Sequence, residues 1–143
     1  MLFPKKVKHR KWQSDRWNTK RDRISTRGLT LAYGTYGLKA ETADRISSNQ
    51  IEAARRVLSR NVGKTGRVWI RVFPDRPFTR KGAEVPMGKG KGDPAGYVAE
   101  VLPGRIIFEI DGVTQAVAKE AIRKAGSKLS VRSRLVSREA LTQ

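Results

Sequence analysis

Apolar positions recur at strand or helix spacing in a series of short segments between Leu29 and Val136, and residues 1–27 follow neither period. Leu29-Thr30-Leu31-Ala32-Tyr33 alternates weakly and predicts a strand. Gly34 to Ala40 continues it, with glycines that mark a bulge or a close backbone approach. Glu41 to Arg45 reads as a polar connection. Ser47-x-x-Gln50 has the form of a helix capping box, with Ile46 and Ile51 placed as its hydrophobic staple. Ile51, Ala54, Leu58 and Val62 then fall on one helical face, and Gly63 or Gly66 ends the helix. In Arg67 to Phe73, Val68, Ile70 and Val72 point to a core while Arg67, Trp69, Arg71 and Phe73 share the other face. Tyr97–Leu102 and Arg105–Ile110 predict two strands joined by a tight Pro103-Gly104 hairpin turn. Thr114 is placed to cap a second helix that carries Val117, Ala118, Ala121, Ile122 and Ala125 on one side and closes near Gly126. Leu129 to Val136 reads as a last strand. No internal repeat is visible.

Between Phe73 and Tyr97 the pattern lapses. Pro74-Asp75-Arg76-Pro77 stops a strand, and residues 76–96 read as one long loop, with Arg80 and Lys81 on its way out and Met87-Gly88-Lys89-Gly90-Lys91-Gly92 at its tip. Glycine reaches φ > 0 freely and lets another backbone come close, and lysine carries a compact charge on a flexible stem. Such a run buries no apolar face. It is either a solvated loop or a track along a phosphate backbone. Loops of this length within a domain are uncommon and are usually functional or disordered.

Charge bears on that choice. The 143 residues hold 31 Lys+Arg against 13 Asp+Glu, a net +18, with a pI of about 11.1. Residues 1–27 hold 10 basic and 2 acidic side chains and residues 76–92 hold 5 and 1, whereas residues 93–143 are nearly balanced at 8 and 6. A chain so charged repels itself unless a polyanion neutralises it, and nucleic acid is the usual polyanion for a basic protein. A membrane is the rival, but no apolar run approaches the ~20 residues needed to span one. The basic start has no apolar stretch behind it and does not read as a secretory signal.

The chain therefore divides into a basic arm, residues 1–27, and an RNA-binding domain, residues 28–143, with the extended loop 76–96. In the arm Lys5, Lys6, Lys8, Arg10, Lys11 and Arg16 are interleaved with Phe3, His9, Trp12 and Trp17. Aromatics among cations suit stacking on bases while the cations hold phosphates, and the alternative is an inert tail. Arg55, Arg56 and Arg60 project from the first helix as either a solvated face or phosphate contacts. Catalysis finds no support. With no cysteine and a single histidine, His9, there is no thiolate or histidine metal cluster, no catalytic triad and no thiol nucleophile. The glycine-lysine run lacks the serine or threonine of a P-loop and is followed by Asp93-Pro94, where a dinucleotide-binding motif would open a helix. No cofactor is implied.

Several segments in order carry a family resemblance: Met1-Leu2-Phe3-Pro4-Lys5-Lys6, Tyr33-Gly34-x-Tyr36-Gly37-Leu38, Gln50-Ile51-Glu52-Ala53-Ala54-Arg55-Arg56, Trp69 through Pro77, Met87 through Gly92, Pro103-Gly104-Arg105-Ile106 and Lys119-Glu120-Ala121. Together they resemble the bacterial L-sixteen family of large-subunit ribosomal proteins, from Met1 to about Leu129. The resemblance implies an α+β fold of the hammerhead type, a small, mostly antiparallel sheet packed with two helices. It implies a non-enzymatic structural component of the large subunit, in the cytoplasm and bound to the ribosome. The implied partners are large-subunit ribosomal RNA near the central protuberance, tRNA in the aminoacyl site (contact with peptidyl-site tRNA being left open) and neighbouring large-subunit proteins, with a part in late assembly and no membrane. On matching positions, Lys5, Lys6, Lys8, His9, Arg10, Lys11, Trp12, Arg16, Arg55, Arg56, Arg60 and Arg71 would meet ribosomal RNA. Arg76, Arg80, Lys81, Met87, Gly88, Lys89, Gly90, Lys91 and Gly92 would lie near RNA or tRNA. Three positions depart from the family pattern: Pro86 replaces a frequent arginine, Gly82 a proline and Tyr97 a tryptophan, and residues 14–27 look longer than usual. A free nucleic-acid-binding protein or RNA chaperone is the alternative.

Overall fold

A computed structural model describes residues 1–14 and 23–139. The described elements run β1 (Tyr36–Ala40), β2 (Asp44–Ser47), α1 (Ser48–Val62), β3 (Arg67–Ile70), β4 (Arg76–Arg80), β5 (Asp93–Val101), β6 (Ile106–Asp111), α2 (Gln115–Gly126) and β7 (Ser133–Ser137). Ser47 caps α1 as its spacing predicts. Its side chain accepts the Gln50 N–H, and the Gln50 side chain accepts the Ser47 N–H. Gly63, at φ 72°, closes the helix by donating to the Ser59 carbonyl. The predicted stripe of Ile51, Ala54, Leu58 and Val62 is buried, and the staple residue Ile46 is buried with it.

The strands form two sheets, all pairings antiparallel, in the orders β3-β6-β1-β7 and β2-β5-β4. With the two helices this is the expected α+β class. Helices α1 and α2 pack on each other, with Ala54, Ala118 and Ala121 buried in the common core, and α2 also rests on β1 and β7. In β6 every residue from Ile106 to Ile110 is buried. A register shift opposite Leu38 and Lys39 inserts one extra residue, Ile107, into this strand. Ile107 and Phe108 therefore both join the helix-side core with Leu38 and Ile110. Each such side chain stabilises the fold by about 1.5–3 kcal/mol.

Several expectations need correction. Residues 29–33 are not a strand: the Ala32, Tyr33 and Gly34 amides turn inward onto the Glu109 carboxylate, and the ladder begins only at Tyr36. The supposed connection before α1 contains β2, whose Arg45 faces Glu100 across the ladder. Strand β3 ends at Ile70, although Arg71 still donates to the Ile107 carbonyl, and β7 begins at Ser133 rather than Leu129. Pro103-Gly104 does not make a hairpin. Gly104, at φ 94°, donates to the Ala40 carbonyl, and Ala40 donates to the Arg105 carbonyl, so the chain leaves β5 in one sheet and enters β6 in the other. Val117 stands 40% exposed rather than in the core, and Thr114 holds the N-cap position of α2 without a side-chain cap bond.

The long loop is also largely structured. β4 and the first half of β5 pair as a two-stranded ribbon, Arg76 opposite Val98 and Arg80 opposite Asp93, leaving residues 81–92 as its tip. β2 pairs only with Val98 to Val101, so Pro94 sits where β5 has no second neighbour and its missing N–H costs no ladder bond.

Candidate nucleic-acid interface

The ribbon tip gives the glycine-lysine run a specific backbone. Gly88, Lys89 and Gly90 have φ of 99°, 54° and 99° in succession. A left-handed residue other than glycine costs about 1–2 kcal/mol, and glycines on both sides confine that cost to Lys89. Nothing lies within 4 Å of where a Cβ at Gly88 or Gly90 would stand, so these glycines serve the turn and keep the outer surface bare. Gly92 differs: a Cβ there would meet the Arg80 carbonyl group at 2.9 Å. The Lys81 ammonium donates to the Gly88 carbonyl and closes the tip. Lys89 and Lys91 are exposed, and Met87 is 93% exposed between them and Val85.

The N-terminal segment runs against this ribbon. Leu2 packs on the core, and Lys5, Lys6, Lys8, His9, Arg10 and Lys11 are all exposed. At the far end of the segment, the Lys91 ammonium donates to the Trp12 carbonyl and the Arg76 guanidinium donates to the Gln13 carbonyl. The same guanidinium lies 5.6 Å from the centre of the Trp12 ring and pairs with Glu100 at 3.2 Å. Arm and ribbon, read separately in the sequence, thus form one cationic ridge. Arg16 and Trp17 lie outside the described residues.

The remaining predicted residues are already engaged within the protein to differing degrees. Arg55 makes a bidentate bond to Glu52, and Arg56 shares that carboxylate. Bonding to Arg55 outweighs the opposing effect of burial and, with the weaker bond to Arg56 and the charges of both arginines, pulls the Glu52 carboxyl down to about 2. Both arginines keep exposed surface, and Arg60 is exposed in the last helical turn. Arg71 is drawn inward. Its guanidinium pairs with Glu109 and lies 5.4 Å from the centre of the Tyr33 ring, which in turn stacks on Trp69 at 6.0 Å.

Glu109 has no exposed surface. It accepts N–H bonds from Ala32 at 3.1 Å, Tyr33 at 2.6 Å and Gly34 at 2.7 Å, together with the Arg71 bond. Burial pushes its carboxyl up, but the backbone donors and Arg71 outweigh burial and hold it below the ordinary value. This carboxylate is the pin that folds residues 29–34 over the sheet. A glutamate in an otherwise apolar strand, Ile106 to Ile110, was the sequence signal for it.

At the foot of the ribbon a cleft of about 600 Å³ opens between the arm and the β3–β4 connection. Arg27, Arg71, Arg76 and Arg105 line it along with Trp12 and Phe73. The sequence pattern offered Arg105 only as the first residue of an apolar strand and Arg27 only as the end of the arm. Among the described residues no cluster of His, Asp or Glu side chains could hold a metal, and no helix is long and apolar enough to cross a membrane.

Fold and surface define a small, strongly basic α+β protein whose cations concentrate on an arm and a ribbon, and comparison assigns it to the ribosomal proteins, a structural rather than enzymatic class. A model of the family described as ribosomal protein L16p/L10e matches residues 4–136. The large ribosomal subunit protein uL16 of Rhodopseudomonas palustris (strain BisB18) is 52% identical over 140 residues, covering 98% of this chain and 99% of that protein. The proteins of the same name from Polaromonas naphthalenivorans (strain CJ2) and Verminephrobacter eiseniae (strain EF01-2) are 52% and 53% identical over 138 residues, 96% of this chain and 97% of theirs. The chain belongs to the ribosomal protein L16p/L10e family.

Proposed function

We propose that this protein is a structural component of the large ribosomal subunit in the cytoplasm, where it binds large-subunit ribosomal RNA and brings its ribbon tip near tRNA in the aminoacyl site, supporting subunit assembly and translation. The observation that carries the reading is the joined ridge of arm and ribbon. The Lys91–Trp12 and Arg76–Gln13 bonds seat the end of the arm on the ribbon, and His9 and Lys11 line a shallow pocket there with Arg76. The family supports it, since relatives over almost the whole length are named as large-subunit proteins. On this reading residues 1–27 are an RNA-contacting arm and residues 28–143 the domain that carries it. The α1 arginines, Arg55, Arg56 and Arg60, grip phosphates from a second side through forked donors. Neighbouring large-subunit proteins complete its surroundings.

The test is sedimentation of a salt-washed lysate through sucrose, probing fractions for this chain. Retention with the large subunit through moderate salt is the expected result. Release into light fractions, with RNA affinity falling steeply as salt rises, would leave a free nucleic-acid-binding protein instead. For the tip, the double variant Lys89→Ala/Lys91→Ala should bind aminoacyl-tRNA less well once in the ribosome. Wild-type assembly and tRNA binding by that variant would remove the tip from the reading.

A further inference from the structure

We propose that the cleft at the foot of the ribbon is a binding site for a single splayed nucleotide of an RNA strand, its phosphate on Arg27 and Arg105 and its base against Trp12 and Phe73. This rests on the RNA-binding reading above and assigns one site within it.

The charges in the cleft do not balance internally. Four arginines face two carboxylates, Asp75 and Glu100. Glu100 is taken by Arg45 and Arg76, each at 3.2 Å, and Arg71 is held by the buried Glu109. Asp75 is exposed and makes no ion pair among the described residues, so Arg105 and Arg27 remain without a carboxylate. Arg105 is half-buried. Its described bond runs from Nη2 to the Arg71 carbonyl at 3.2 Å, and no carboxylate among the described residues pairs with it. It lies against the Gly28 backbone, where a Cβ would stand only 2.9 Å from its Nε. Burial, then the charges of Arg71 and Arg27, make its cationic form harder to hold than usual. A part-buried guanidinium beside two others is relieved by an incoming anion, and its planar fork suits a phosphate.

A bare phosphate would leave the rest of the cleft unused. Leu2, Ile70, Val72 and Ala99 supply an apolar lining, while Trp12 and Phe73 remain 41% and 48% exposed at its edges. The Arg76 contact fixes the Trp12 ring there. A volume of about 600 Å³ falls within the ~300–1,000 Å³ usual for small-ligand sites. Cations beside aromatic faces are how proteins hold bases that have left a helical stack, and paired bases in a duplex cannot enter such a site.

The test uses the full-length protein and two fluorescent probes, a short single-stranded oligoadenylate and an abasic oligomer of the same length, read by anisotropy. Trp12→Leu and Arg27→Gln alter exposed side chains, and Lys119→Gln removes one charge from an exposed position on α2. Trp12→Leu should weaken oligoadenylate binding about five- to a hundred-fold and leave the abasic probe unaffected. Arg27→Gln should weaken both probes more than Lys119→Gln does. The site is overturned if Trp12→Leu affects both probes equally or neither, or if Arg27→Gln matches Lys119→Gln. Loss of the wild-type chain from the large subunit in the salt-washed gradient would sink the ribosomal reading itself. Retention there without base-dependent discrimination by Trp12 would sink the cleft alone.

Discussion

Replacing Glu109 by glutamine tests the buried pin most directly. The change keeps shape and removes charge. In the native protein one carboxylate without exposed surface receives three backbone N–H groups and a guanidinium. Glutamine offers a single carbonyl oxygen and turns an NH₂ group toward donors it cannot satisfy. Each bond to a charged acceptor contributes about 1.5–3 kcal/mol, and breaking a buried ion pair from one side costs about 3–5 kcal/mol. The contributions overlap, so Glu109→Gln should destabilise by about 3–5 kcal/mol, a large part of the ~5–15 kcal/mol that holds a domain together. Urea unfolding near neutral pH, followed by tryptophan fluorescence, measures it. Hydrogen exchange at Ala32, Tyr33 and Gly34 should accelerate in the same variant. A loss under ~1 kcal/mol with those amides still protected would refute the reasoning. Arg71→Leu should cost less, since the three backbone donors remain, and the double variant should be non-additive. The pH dependence has a definite sign. The folded carboxyl lies below its ordinary 4.5, so its contribution is complete above that value and drains away as pH falls through the folded value.

Other outcomes follow from the caps, the tip and α1. Ser47→Ala removes the side-chain half of the capping box and should cost about 1 kcal/mol by denaturant unfolding. Gly90→Ala should cost about 1–2 kcal/mol by denaturant unfolding, because φ 99° strains an L side chain even though nothing stands near its Cβ, and an unchanged unfolding midpoint would refute the strain. Gly92→Ala should also destabilise, by collision rather than by backbone strain, since its Cβ would meet the Arg80 carbonyl group at 2.9 Å, and a thermal midpoint equal to that of the native protein would refute the collision. The Glu52 carboxyl should titrate near 2 by carbon NMR, and Arg55→Gln should raise it; an unchanged midpoint would deny the Arg55 bond its leading part.

The helices were legible because their signals are local. Ser47-x-x-Gln50 and the stripe from Ile51 to Val62 each lie within a few turns and needed no distant partner. What escaped depended on distance or on brevity. Residues 29–33 alternate like a strand, yet their amides are claimed by Glu109, more than 70 positions away. Strand β2 has four residues and one buried apolar side chain, Ile46, too little for a period to register. Pro103-Gly104 looks the same whether a chain doubles back in one sheet or crosses to another, and only the Ala40 backbone decides. The ribbon was hidden by Pro77, Pro94 and Gly96, which read as loop residues but fit a two-stranded edge; Gly96 makes room for the Phe78 ring. For the candidate site, arm and tip cations were visible as composition. Their union through Lys91 and Arg76, and the cleft around Arg105, arise from side chains separated widely in sequence.

The nine residues of β5 belong to the ribbon at one end and the body at the other. At about 3.4 Å per residue they form a rod of roughly 30 Å. The register shift opposite Phe78 and Thr79 bulges the rod at Ala95, outside the stretch from Val98 to Val101 that β2 clamps without irregularity. Force applied at the tip therefore travels down β5 into β2, whose last residue, Ser47, faces Val98 across the ladder and also caps α1. The ribbon is mechanically a lever seated in the same joint that starts the first helix.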